Sequence, residues 1–205
     1  DEEAALWSAH RGAGDASARA AIADGARDAQ ALINARISAG AVRNGWKVPD
    51  PNTGKASLDY AGRAVVQIHQ IASFSPDEAM YFTAKSDSAG ALLHGGSAYT
   101  LTFAKDGLPP VDPRAFWSLT LYDATTNLLV ENPINRYILR PTTPGLTRNA
   151  DGSLTLHISH RKPADAPEGN WLPAPTGGFI VVLRTYLPSA AIQSGAWFSP
   201  ALQRN

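Results

Sequence analysis

Cysteine is absent from this 205-residue chain, which excludes disulfides, thiolate nucleophiles and sulfur-ligated metals together. The redox compartment is thereby left open. Neither sign of charge is in excess: Lys and Arg together number 18, as do Asp and Glu. There is no basic stripe and no acidic tail, so neither nucleic acid nor an anionic membrane surface is an expected main partner, since both need concentrated cationic charge. No apolar run is long enough to span a bilayer, and membrane insertion is not expected. The Asp1-Glu2-Glu3 start lacks the basic and apolar regions of a signal peptide. A mature exported protein, a shortened chain and a cytosolic protein would all look like this.

What is present suffices for a globular fold. At 44% hydrophobic and 18% charged, a chain of this length buries about 70% of its unfolded surface, in one or two domains. The run Phe116-Trp117-Ser118-Leu119-Thr120-Leu121-Tyr122-Asp123 is the pivot. Its alternation puts Trp117, Leu119 and Leu121 on one face and Phe116, Ser118, Thr120 and Tyr122 on the other, as in a central strand packed on both sides. A turn rich in side-chain hydrogen bonders, Asn132 to Tyr137, follows it.

The first part of the chain reads as helical. From about Asp15 to Ala39, Ile22, Ala26, Ala29, Ile33 and Ile37 recur three or four apart, which predicts an amphipathic helix capped by Asp15 or Ser17 and ended at Gly40. Gly25 inside it implies a close packing contact or a slight bend. Gly45 to Gly54 is dense in turn formers and reads as a connection. A second helix is expected from about Ser57 to Ala72, burying Leu58, Ala61, Val65, Ile68 and Ala72, with His69 packed at the margin of that stripe. Ser75-Pro76-Asp77-Glu78 then reads as a turn or a short helical start, with Pro76 at the first helical position.

From Ala79 the pattern changes to sheet. Met80–Ala84 and Tyr99–Phe103 are short β-prone runs expected to pair with each other. The loop between them carries Gly95-Gly96 without a following Lys-Ser/Thr, so it is no phosphate loop. Leu128-Leu129-Val130 reads as the return strand of a hairpin, and Tyr137-Ile138-Leu139 as a further run. Leu154 to His160 alternates with its leucines and isoleucine inward, which puts His157 and His160 on opposite faces and makes them a poor metal clip. Pro163 to Pro175 is a long proline-punctuated loop containing Trp171. Phe179 to Leu187 is the most apolar strand and holds Arg184, which must find a partner if it is buried.

Gly45-Trp46-Lys47-Val48-Pro49, Glu78 to Ala84, Leu108 to Asp112, Phe116 to Asp123, Asn135-Arg136-Tyr137, Asn149 to Thr155, Asn170 to Pro175 and Leu183 to Tyr186 occur in an order that resembles the domain-of-unknown-function family 1214. Leu93-His94-Gly95-Gly96 departs from it, since an Asp or Asn before a single Gly is expected there. The resemblance implies an antiparallel β-sandwich with attached helices, and relatives that are often exported bacterial proteins. In many relatives a second uncharacterised domain, family 1254, precedes this one; none is found in this short chain. The expected fold is therefore α+β: two amphipathic helices over residues 1–75, packed on an antiparallel, jelly-roll-like β-sandwich over 76–205. The compartment expected on this basis is periplasmic or extracellular.

The residues expected to bind a ligand are Tyr81, Trp117, Tyr122, Asn132, Asn135, Arg136, Tyr137, Trp171 and Arg184. Flat aromatic faces with polar tips, combined with directional arginine and asparagine donors, suit a polar small molecule or carbohydrate. The same residues also admit a structural reading, in which Trp117, Tyr122 and Arg184 tie the sandwich together and Asn132 and Asn135 shape a turn. An enzyme, a hydrolase or lyase acting on a small polar molecule or glycan, would need an acid or base from among Asp123, Asp87, His94 and His157. Ser118 has no Gly-x-Ser-x-Gly setting. No metal or other cofactor is expected. Homo-oligomerisation, and a purely structural domain without ligand, are both compatible with the sequence.

Overall fold

A computed structural model describes residues 16–55, 59–69 and 73–205. The chain divides into two compact units, residues 1–40 with 56–72 and residues 41–55 with 73–205.

The first unit holds helices α1 (Ala16–Ser38) and α2 (Tyr60–His69), which pack on each other. An ion pair between Arg36 and Asp59 links the end of α1 to the start of α2. The apolar stripe predicted for α1 is largely uncovered: Ile22, Ala26 and Ala29 are exposed and only Ile33 and Ile37 are partly sheltered. Gly25 is exposed as well, and a β-carbon there would meet nothing within 4 Å, so the close contact expected at this glycine is not made. Gly25→Ala should therefore stabilise α1 by about 1 kcal/mol, read as a gain in far-ultraviolet helicity and melting temperature. The expected cap Asp15, the stripe residues Leu58 and Ala72, and the His69 side chain lie outside the described residues. Ile68 is exposed rather than buried.

The second unit is built from two sheets. One has the strand order β1 (Val42–Arg43), β2 (Trp46–Lys47), β3 (Ala79–Ala84), β9 (Phe179–Tyr186), β5 (Trp117–Asp123), β6 (Ile138–Leu139). The other has the order β10 (Gln203–Arg204), β4 (Tyr99–Phe103), β7 (Leu154–Ser159), β8 (Trp171–Pro173). A 3₁₀ turn (Glu168–Asn170) leads into β8, and a one-turn helix, α3 (Ala190–Gln193), follows β9. Inward residues of both sheets share one core, among them Phe82, Leu119, Leu183, Leu101 and Leu156. Edge-on or tilted ring pairs, Tyr99 with Phe179 at 5.7 Å and Phe103 with Trp117 at 5.9 Å, bridge the two layers. The α+β sandwich predicted from the sequence is thus the observed architecture.

Three expectations need correcting. β3 and β4 do not pair: β3 lies between β2 and β9, while β4 joins the other sheet between β10 and β7. The stretch from Gly45, read as a connection, contributes β2, which forms a two-residue hairpin with β1. Asn44 (φ 53°) and Gly45 (φ 79°) supply the two positive-φ positions such a turn requires. Trp46 is completely buried and donates its indole N–H to the Pro200 carbonyl at 2.7 Å. The proline-rich loop ends in β8, which runs parallel to β7 and is the one parallel pairing among the described strands.

The chain after β9 clamps the sandwich. Trp197 donates to the Gly107 carbonyl (3.0 Å) and packs edge-on against Phe82 at 6.0 Å, with Phe198 on the same ring at 5.3 Å. Arg43 donates to the Gly195 carbonyl and lies over the Phe198 ring.

Candidate functional site

β9 alternates inward Phe179, Val181, Leu183 and Thr185 with outward Ile180, Val182, Arg184 and Tyr186, because side chains on a strand change face at every residue. The antiparallel registers then fix the neighbours of Arg184: Tyr81 on β3 and Ser118 on β5 stand directly opposite it. The guanidinium donates from Nη2 to the Tyr122 hydroxyl at 2.8 Å. Its central carbon lies 5.9 Å from the Tyr81 ring centre and 5.6 Å from that of Tyr122, within cation–π range. No ion pair among the described residues involves Arg184. Burial pushes the Tyr81 hydroxyl above the ordinary tyrosine range, against the smaller lowering effects of the Phe74 backbone and of Arg184, so it stays a neutral hydrogen-bonding group.

Ser118 completes this platform. It is 1% exposed, and its hydroxyl oxygen is buried with no hydrogen-bond partner. Buried hydroxyls are nearly always paired, so an orphan on the residue that stands opposite Arg184 in the β5–β9 register is uncommon. Beside them the Phe116 and Tyr186 rings meet at 4.6 Å. The predicted ligand residues Tyr81, Tyr122 and Arg184 therefore do come together.

The other predicted residues lie elsewhere. Trp117 is 3% exposed and faces the core between the sheets. Asn132, Asn135, Arg136, Tyr137 and Trp171 form a separate cluster around a turn. Asn132 accepts from the Arg136 backbone N–H at its Oδ1 and donates from Nδ2 to the carbonyls of Val130 and Arg136. Asn135 adopts φ 50°, a left-handed position that asparagine tolerates, and accepts from the Tyr137 hydroxyl at 3.4 Å. Arg136 reaches across to the carbonyls of Glu168 and Trp171. Trp171 is 6% exposed and donates to the Ser159 carbonyl at 3.0 Å. The bonds made by Asn132, Arg136 and Trp171 fasten this turn to the 3₁₀ turn, β7 and β8.

The candidate acids and bases are for the most part engaged in their own turns. Asp123 accepts from the Thr125 and Thr126 amides and the Thr126 hydroxyl, which together hold its carboxyl below the usual range. Asp87 is buried and accepts from the Ala89 and Ala91 amides through Oδ1, leaving Oδ2 without a partner. His94 Nδ1 accepts from the Gly96 amide. His157 lies half-buried on the outer face of the second sheet, opposite Trp171, and desolvation pushes its pKa below the ordinary 6.5, with Asp165 opposing and Lys162 assisting. The unfolded chain takes up a proton there before the folded protein does, so stability present above pH 6.5 falls as pH is lowered through the histidine range. His157→Gln should flatten that limb of a plot of melting temperature against pH. Among the described residues no group of three or more His, Asp and Glu side chains is placed to hold a metal ion.

Sequence reasoning missed Ser118, Phe116 and Tyr186 as parts of the platform. The signal was available in strand parity: Ser118 and Phe116 share the Tyr122 face of β5, and Tyr186 shares the Arg184 face of β9.

Fold and site together define a two-layer β-sandwich domain, accompanied by a helical unit, with an aromatic-flanked arginine on the outward face of its larger sheet. The chain belongs to a family of proteins of unknown function, DUF1214, whose sequence profile matches residues 78–190 and so includes every residue of the Arg184 platform. Among solved structures it is similar to the VPA0106 protein from Vibrio parahaemolyticus, with a TM-score of 0.59 and 29% identity, covering 71% of this chain and 34% of that one. It is also similar to an uncharacterised protein from Burkholderia cenocepacia, with a TM-score of 0.46 and 16% identity, covering 70% of this chain and 33% of the other. The chain thus spans about a third of the length of each of these neighbours. No curated protein matches it. No helix among the described residues is long and apolar enough to cross a membrane.

Proposed function

We propose that this protein is a binding module that holds a polar small molecule against the outer face of its six-stranded sheet, with Arg184 as the directional contact. The observation that carries this reading is Arg184 itself, half-buried on an interior strand, its guanidinium flanked by two tyrosine rings and joined to the Tyr122 hydroxyl, with no counter-ion among the described residues. A partly desolvated cation left in that state costs free energy that an acidic or hydroxyl-bearing ligand would offset. The enzyme alternative has less support, because the four candidate acids and bases are engaged in their own turns or stand on other surfaces. We read the protein as exported on the family resemblance alone.

Arg184→Met is the deciding variant. Methionine preserves most of the stem that lies between the two rings, so the variant should fold and melt within about 4 °C of the parent. It should lose the thermal stabilisation that the parent shows with hits from a panel of sugars and small carboxylates. A variant that cannot fold would make Arg184 a structural tie, and hits that persist in a folded variant would place binding elsewhere.

A further inference from the structure

The outward face of the larger sheet carries charge of one sign only. Strand parity and the registers assign its positions, and the charged residues among them are Lys47 on β2 and Arg184 on β9. Asp123, the one acid within these six strands, shares the inward parity of Trp117 and Leu121 at the end of β5. Glu78, which acts on the Tyr81 hydroxyl, stands ahead of β3. The two cations are neighbours rather than scattered. Arg184 stands opposite Tyr81 and Lys47 opposite Thr83, and Tyr81 and Thr83 are successive outward residues of β3. Two strand spacings and a two-residue advance separate the cations' α-carbons by roughly 12 Å, with a phenol and a hydroxyl between them. Lys47 is exposed and Tyr81, Thr83 and Arg184 are partly open, whereas Val182 and Thr120 beside them are closed off. The accessible part of this face is therefore the block over β3, and it is polar.

We propose that the ligand is a small hydroxylated diacid, of the aldaric acid class, whose two carboxylates are held by Arg184 and Lys47. This inference rests on the binding reading given above for Arg184 and specifies its ligand. One carboxylate pairs with the guanidinium, whose Nη2 donates to Tyr122 and whose fork offers further N–H donors. The other meets the Lys47 ammonium. The body of the acid crosses β3, where the Thr83 hydroxyl can exchange hydrogen bonds with its hydroxyls and the Tyr81 ring underlies its C–H groups. The two long side chains close about half of the distance between their α-carbons, and a six-carbon chain, extended over roughly 6 Å, spans the rest. A monoacid would leave Lys47 without a role, and a neutral sugar would engage neither cation as a counter-ion.

Calorimetric titration of the whole chain at low ionic strength with glucarate, gluconate and adipate tests this. Gluconate lacks one carboxylate of glucarate, and adipate lacks its hydroxyls. Glucarate should bind about three- to five-fold more tightly than gluconate, the yield of one exposed ion pair, and about three-fold more tightly than adipate. Lys47→Met changes an exposed side chain and should melt like the parent. It should erase the margin between glucarate and gluconate while leaving gluconate binding unchanged, and Lys47→Arg should keep that margin. Thr83→Val should erase the margin over adipate, and Arg184→Met should abolish binding of all three acids. If glucarate and gluconate bind alike, or their margin survives Lys47→Met, while Arg184→Met abolishes binding, the diacid inference falls and the Arg184 reading stands. If adipate matches glucarate, the hydroxyl contacts fall. If none of the acids binds, the diacid inference alone falls; if glucarate binds undiminished to folded Arg184→Met, both readings fall.

Discussion

Gly95→Ala is expected to be the most damaging single methyl addition in the sandwich unit, costing about 3 kcal/mol or more. At position 95 a β-carbon would sit 1.6 Å from the Pro175 carbonyl oxygen and 2.7 Å from its carbonyl carbon. The obstacle is backbone, and it cannot swing aside as a side chain would. Gly95 also donates its amide to the Gly177 carbonyl at 2.9 Å, while His94 bridges Gly178, so the two loops are tied together on both sides of the contact. Relief would require breaking those ties or shifting the stretch between two prolines that carries β8 into this contact. For a unit of this size the loss corresponds to a fall in melting temperature of roughly 6–12 °C. Gly177→Ala is the matched control, because a β-carbon there meets nothing within 4 Å. Its melting curve should overlie the parent's.

Asn170→Ala should cost about 2–3 kcal/mol, a fall of roughly 5–10 °C. Asn170 is 2% exposed and uses its whole amide. Oδ1 accepts from the Thr147 amide at 2.9 Å and the Thr147 hydroxyl at 3.4 Å, while Nδ2 donates to the Thr147 and Thr155 carbonyls, both at 2.8 Å. One side chain thus joins the loop before β7, β7 itself and the turn that opens β8. Next to it, a β-carbon on Gly169 would lie 2.0 Å from the Gly145 carbonyl carbon, so the two loops are in backbone contact here as well. Asn170→Asp distinguishes hydrogen bonding from packing, since it keeps the shape but turns two donors into a charge facing two carbonyls. At neutral pH it should be at least as unstable as the alanine variant. It should recover part of the loss as acid protonates the carboxyl and restores a donor.

The central strand was legible because β5 is packed on both faces: its alternating large and small residues fit only an interior position. Arg184 was legible as a problem, since a cation inside the most apolar run of the chain demands a partner. Its partner, Tyr122, lies 62 positions away, and only the β5–β9 register joins them. The pooling of Trp117 with Arg184 overlooked what strand parity already implied, because Trp117 belongs to the inward set of β5 and Arg184 to the outward set of β9. Trp171 could not be assigned on that basis, since nothing local states which sheet a three-residue strand will join. The β3–β4 pairing was inferred from nearness in sequence, but whether a glycine-rich loop folds two strands together or carries one across to the facing sheet depends on distant partners. The β1–β2 hairpin had a local signature, Asn44-Gly45, which the surrounding proline and glycine residues obscured.

The insertion of β9 between β3 and β5 sets an order of events on the assembling chain. β3 ends at Ala84 and β5 begins at Trp117, yet the strand that joins them starts only at Phe179. Until that segment emerges, β3 and β5, each paired on its other side with β2 or β6, both keep one open hydrogen-bonding edge, and loop closure must precede any gain from pairing there. A nascent chain halted before this point would be a client for chaperones and a nucleus for aggregation.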